Sequence, residues 1–174
     1  EKARLHYGIL KNLADSMKKK KVEYVPLVFP WYGAALEKSD LTQRMAVIAY
    51  ALQDQALIDD VCIRLSDITD SYYNTRKNYV RILLHDPRTQ VQKDALIAYA
   101  ADKEGFTRTA AWQILKKVPI SEEGYLQLEK HLRLKNEDTR HNVIDLLERQ
   151  DKAKVDESIK RLLGAGQEQI RLAG

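Results

Sequence analysis

Arginine recurs along this chain at a near-constant interval. Arg44, Arg76, Arg108, Arg140 and Arg171 are separated by 32, 32, 32 and 31 residues. A fixed period of this length marks a repeat architecture and is sought before any other feature. The segments that follow each arginine also match: Arg44-Met-Ala-Val-Ile-Ala-Tyr-Ala, Arg76-Lys-Asn-Tyr-Val-Arg-Ile-Leu, Arg108-Thr-Ala-Ala-Trp-Gln-Ile-Leu and Arg140-His-Asn-Val-Ile-Asp-Leu-Leu. Positions +3, +4, +6 and +7 from the arginine are apolar in all four. At ~100° per residue these positions share one broad helical face. Each copy is therefore expected to be an amphipathic helix with one buried side.

A second helix fits between successive copies. Asp54 to Thr69 supplies one; Asp86-Pro87 supplies a cap and a first-turn proline for a helix running to about Ala101. Ser121-Glu122-Glu123 opens another that ends near Lys135, and Asp151 opens one that stops at Gly164. Asn136-Glu137-Asp138 caps the Arg140 helix with acids in its first turn. No stretch alternates with period two, so no strand is expected. Only 7 Gly and 4 Pro punctuate the chain, too few for a many-turned sandwich or barrel, while 44% hydrophobic residues are enough for a real core. The expected fold is all-α, an α-solenoid of helix pairs stacked side by side. Its repeats fall at 31–53, 54–85, 86–118, 119–150 and 151–174, after an atypical helix and spacer over 1–30. Arg4 heads an earlier helix with Tyr7, Leu10 and Leu13 on its face, and Arg171 stands three residues before Gly174, which reads as a severed repeat of a longer array.

The helix pair and its arginine-led second helix resemble HEAT repeats of the short variety. In that family an Asp often precedes the basic residue by six positions. Asp70 and Asp102 keep this spacing to Arg76 and Arg108, and Pro30 lies where the family's first-helix proline would precede Arg44. The pattern departs where Val is usual before the basic residue: Gln43, Thr75, Thr107, Thr139 and Ile170 stand there. Lys38, Leu134 and Ala165 replace the Asp in the other copies. The resemblance covers about residues 31–174. It implies a right-handed superhelix whose second helices line a concave binding face, and a scaffold role in place of catalysis.

The arginines themselves read as structural. A cation at a helix N-terminus opposes the helix dipole and needs a partner, and Asp40, Asp70, Asp102, Asp138 and Glu168 are close in sequence. A ladder of Arg44, Arg76, Arg108, Arg140 and Arg171 against Asp70, Asp102 and Asp138 is expected to lock the stacking. Trp112 at a +4 position and Cys62 between Val61 and Ile63 read as core. His6, His85, His131 and His141 have no metal-ligand spacing, and no glycine-rich phosphate loop is present, so neither a metal nor a cofactor is expected. The run Lys18–Lys21 reads as a solvated helix end, where cations complement the dipole.

The outward face of the second helices carries the functional expectation. It places Met45, Ala49 and Leu52 as apolar contacts, followed by Lys77, Arg81, Lys116, Lys117 and Arg149 as selective cations. The Arg44 helix is apolar nearly all round, so the aromatic spacer Tyr24–Tyr32 or a partner must cover it. Five cations against Asp145 and Glu148 leave a faintly basic groove, in a chain of formal charge +4. The expected partner is a protein, or another domain of the same longer chain. The competing class is a HEAT-like DNA glycosylase gripping duplex DNA, with Asp145 as its nominal acid; a HEAT-like metal hydroxylase lacks its His-Glu pairs here. No apolar run reaches the ~20 residues of a membrane span. A single Cys and the lack of a targeting pattern predict a reducing, cytoplasmic setting.

Overall fold

The computed structural model describes residues 1–22, 24–26, 35–64 and 73–165. These residues are helical apart from one short strand pair. The order is α1 (Lys2–Lys20), β1 (Tyr24–Pro26), β2 (Ala35–Glu37), α2 (Lys38–Leu52), α3 (Gln55–Arg64) and α4 (Tyr73–Asn78), the last continuing as a π-helical turn over Tyr79–Leu83. Then come α5 (Gln90–Tyr99), α6 (Gly105–Leu115), α7 (Glu122–Glu129) with a 3₁₀ turn over Lys130–Arg133, α8 (Glu137–Leu147) and α9 (Lys152–Leu163). Two compact units divide the chain, residues 1–95 and 96–174.

The caps follow the side-chain chemistry. Asp54 accepts the amides of Ala56 and Leu57 ahead of α3. Ser121 accepts Gly124 N at 3.2 Å, Asn136 accepts Thr139 N at 2.8 Å, and Asp151 accepts Lys154 N at 3.0 Å. Each satisfies a first-turn amide that has no carbonyl partner within its helix. Helix α5 corrects the sequence expectation: it starts at Gln90 and not at Asp86-Pro87, because Thr89 is the residue whose hydroxyl accepts Gln92 N. Strands were not expected, yet Tyr24–Pro26 pairs antiparallel with Ala35–Glu37, Val25 opposite Leu36. Three residues are too few to show alternation. Lys21 and Gln53 take left-handed backbone (φ 54° and 50°) just past α1 and α2, ending both without a glycine.

In the first unit, α1 lies on α2, and Ala14, Met17 and Leu41 form a small core with Leu10 and Leu13 against it. Polar bonds join α1 to α3. Asp60 accepts from Tyr7 Oη at 2.7 Å, Lys11 Nζ at 2.7 Å and Arg64 Nε at 3.3 Å, while Arg64 Nη1 reaches Asp15 at 2.6 Å. Asp59 accepts from Thr89 Oγ1 at 2.7 Å and Gln92 Nε2 at 2.8 Å, tying α3 to α5. In the second unit, Trp112, Leu115, Leu128, Leu132, Val143, Leu146 and Leu162 are buried. Arg161 makes a two-pronged bond to Glu129, at 2.7 and 3.2 Å, joining α7 to α9 across 32 residues.

Of the apolar stripe, the +3 and +7 positions are buried in three copies and reversed in the Arg44 copy, while +6 of the Arg76 copy, Ile82, stays exposed. After Arg76, Arg108 and Arg140 the +3 and +7 residues (Tyr79 and Leu83, Ala111 and Leu115, Val143 and Leu147) are all buried. In α2, Val47 and Tyr50 point to solvent, and Met45, Ala46 and Ala49 are buried in their place. Helix α2 is apolar on both sides, and packing against α1, α3 and the π-helical turn decides which side is covered.

Candidate interaction surface

Three grooves lined by described residues lie between neighbouring arginine-headed helices. One of about 590 Å³ runs between α1 and α2, lined by His6, Ile9, Leu10, Gln43, Arg44, Val47 and Ile48. The next, about 420 Å³, lies between α2 and the α4–π segment, lined by Gln43, Ala46, Val47, Tyr50, Asn78, Tyr79, Ile82 and Leu83. Gln43 and Val47 form the ridge shared by both. In the second unit a groove of about 530 Å³ between α6 and α8 includes Phe106, Arg108, Trp112, Lys116, Asp138 and Asn142.

The first unit carries an apolar row across its arginine-headed helices. Leu5 (65% exposed) and Ile9 (55%) stand one turn apart on α1, Val47 (68%) and Tyr50 (41%) on α2, and Ile82 (49%) on the π-helical turn. Single exposed apolar residues are ordinary, but a contiguous row on adjacent helices marks a contact surface. The π geometry contributes: five residues in a widened turn end the helix and place Ile82 and Arg81 outward beside buried Tyr79, Val80 and Leu83. Such turns are rare and often occur at functional positions.

The expected contact residues are placed unevenly. Met45 and Ala49 are fully buried, so they belong to the core and not to a binding face. Leu52 is partly exposed at the end of α2. Arg81, Lys116, Lys117 and Arg149 are exposed and Lys77 is half-buried. Asp145 draws two of these cations onto itself, Lys116 at 3.1 Å and Arg149 at 3.0 Å, and the hydrogen bond from Lys116, with support from Arg149, holds its carboxyl below the usual range. Sequence reading missed Leu5, Ile9, Val47, Tyr50 and Ile82; the two-sided apolarity of α2 was the signal present, and it did not say which side would remain open.

The arginine ladder does not form as a uniform set. Arg44 is exposed and has no ion-pair partner among the described residues. Arg76 is buried and engaged. Arg108 donates to the main-chain carbonyls of Asp102 and Lys103, at 2.8 and 2.9 Å, while Asp102 Oδ1 accepts Glu104 N. Arg140 is half-buried with no ion pair to Asp138, whose carbonyl accepts Asn142. Asp70 and Arg171 lie outside the described residues. Polar bonds about 32 residues apart in sequence instead run through Asp59–Gln92 and Glu129–Arg161, on the helices without a leading arginine, and through Lys116–Asp145 at the ends of α6 and α8.

Trp112 and Cys62 are buried as expected. No group of His, Cys, Asp and Glu among the described residues could hold a metal ion, and no described helix is long and apolar enough to cross a membrane. Comparison with known proteins gives a family match, while no curated protein and no solved structure matches the chain. The match is to the model described as "Family of unknown function (DUF5724)", over residues 1–174, and the chain belongs to that family.

Proposed function

We propose that the chain is a non-catalytic interaction module, built from HEAT-like helix pairs in a right-handed solenoid, that binds a protein partner or a neighbouring domain along its arginine-headed helices. The setting we propose is cytoplasmic. The observation that carries this reading is the exposed row Leu5, Ile9, Val47, Tyr50 and Ile82, bordered by grooves on both sides of α2. Apolar side chains held on rigid helices lose little conformational freedom on binding, so their burial goes into affinity. The binding surface in the first unit is thus Val47 and Tyr50 with Arg81, in place of Met45 and Ala49.

Affinity capture with the native chain and with Val47→Asp, quantified side by side, tests the reading. Proteins held by the native chain and lost with the variant support it. Retention that ignores the substitution, or tight duplex DNA binding that weakens steeply with salt, overturns it in favour of the nucleic-acid class.

A further inference from the structure

We infer that the two grooves flanking α2 receive one amphipathic helix of a partner protein, apolar on one side and acidic along its borders. This inference rests on the interaction reading above and specifies its partner. The apolar part follows from Val47, the ridge common to both grooves, with Ile9 on one side and Ile82 on the other. Neighbouring helices pack roughly 8–10 Å apart, so a ligand crossing from α1 over α2 to the π-helical turn covers about 16–20 Å. That is the length of ~11–13 helical residues, three turns presenting i, i+3 or i+4, and i+7 anchors.

The acidic part follows from charge. Among the described residues, no carboxylate lines either groove. Arg44 lines the first, and exposed Arg81 adjoins Ile82 of the second; neither has an ion-pair partner among the described residues. Five described acids of this unit are committed elsewhere: Asp54 to Arg4, Asp15 and Asp60 to Arg64, Asp59 to Thr89 and Gln92, and Asp86 to Arg88. Two uncompensated guanidinium groups beside an apolar strip select a ligand that brings carboxylates to its flanks and repel a basic one. The same charges argue against a second copy of this chain, whose corresponding face is equally cationic. Tyr79 adds a polar feature to the second groove's wall: its buried hydroxyl has no hydrogen-bond partner among the described residues.

The experiment is a selection on the full chain from a displayed library of helical peptides of about 15 residues, apolar on one face and randomised along both borders. The expected winners carry Asp and Glu at the borders. They bind Val47→Asp and Ile82→Asp at least ~10-fold more weakly, and Arg44→Glu/Arg81→Glu similarly, each variant keeping the native helical signal. Winners without an acidic bias, winners insensitive to these substitutions, or a failure to enrich any peptide overturn the inference. So does self-association of the native chain that Val47→Asp abolishes, since the occupant is then a second copy. If captured proteins depend on Val47 while the library shows no acidic preference, the interaction reading stands and the acidic-helix assignment falls. If Val47→Asp changes neither result, both fall.

Discussion

Asp60 gathers three donors from two helices, which makes Asp60→Ala a direct measure of how α1 is held on the first unit. The substitution removes the acceptor of Tyr7 Oη, Lys11 Nζ and Arg64 Nε. These losses are unequal. Lys11 is 41% exposed and rehydrates, so its contribution is about 0.5–1 kcal/mol. Arg64 keeps Asp15 at 2.6 Å and loses little. Tyr7 is buried and retains only Leu57 O at 3.2 Å; a hydrogen bond to a charged acceptor contributes about 1.5–3 kcal/mol. The expected cost is therefore ~2–4 kcal/mol at neutral pH, read from urea unfolding followed by circular dichroism. Burial pushes the Asp60 carboxyl upward, but hydrogen bonds from Lys11, Tyr7 and Arg64 outweigh it and hold the group below its ordinary 3.8. A depressed carboxylate stabilises the fold fully above 3.8 and loses that contribution as pH falls through the lowered value. The gap between native and Asp60→Ala must therefore be widest near neutrality and close in acid. A cost under about 0.5 kcal/mol, typical of an inert surface site, would refute the reasoning, and so would a gap that does not narrow at low pH.

The other expectations are narrower. His131 donates to Ile97 O at 2.9 Å; burial lowers its pKa below 6.5, Arg133 adds to that, and the Ile97 carbonyl opposes it. A base whose folded pKa is depressed leaves stability intact above 6.5 and takes it away below, so urea midpoints should fall from about pH 7.5 to about pH 5.5, and His131→Gln should flatten that slope. Cys62 is buried, and burial with the nearby Asp59 charge pushes its thiol up to about 12. Alkylation by iodoacetamide should be slow in the native protein and fast in urea; equal rates would place Cys62 at the surface. Arg161→Ala strips buried Glu129 of its cation and should lower stability by ~2 kcal/mol in the same unfolding assay, with Glu129→Gln/Arg161→Ala recovering part of the loss because no unpaired charge is then left.

What the sequence determined by itself is local. The caps at Asp54, Ser121, Asn136 and Asp151 are legible because a cap bonds two or three residues ahead, within one stretch of chain. The buried stripes after Arg108 and Arg140, and the +3 and +7 positions after Arg76, are legible because helical periodicity places them on one apolar face. The start of α5 was misplaced since Thr89 competes with Asp86-Pro87 as an opening signal and wins by its bond to Gln92. Tertiary structure alone decided the rest. Helix α2 offers two apolar faces of comparable quality, and periodicity cannot rank them; the packing of α1, α3 and the π-helical turn buries Met45 and Ala49 and leaves Val47 and Tyr50 in water. Charge partners are likewise a matter of distance through space. Asp60 meets Tyr7 and Lys11 some fifty residues away, while Arg44, expected in a ladder, stands exposed beside the groove without an ion-pair partner among the described residues.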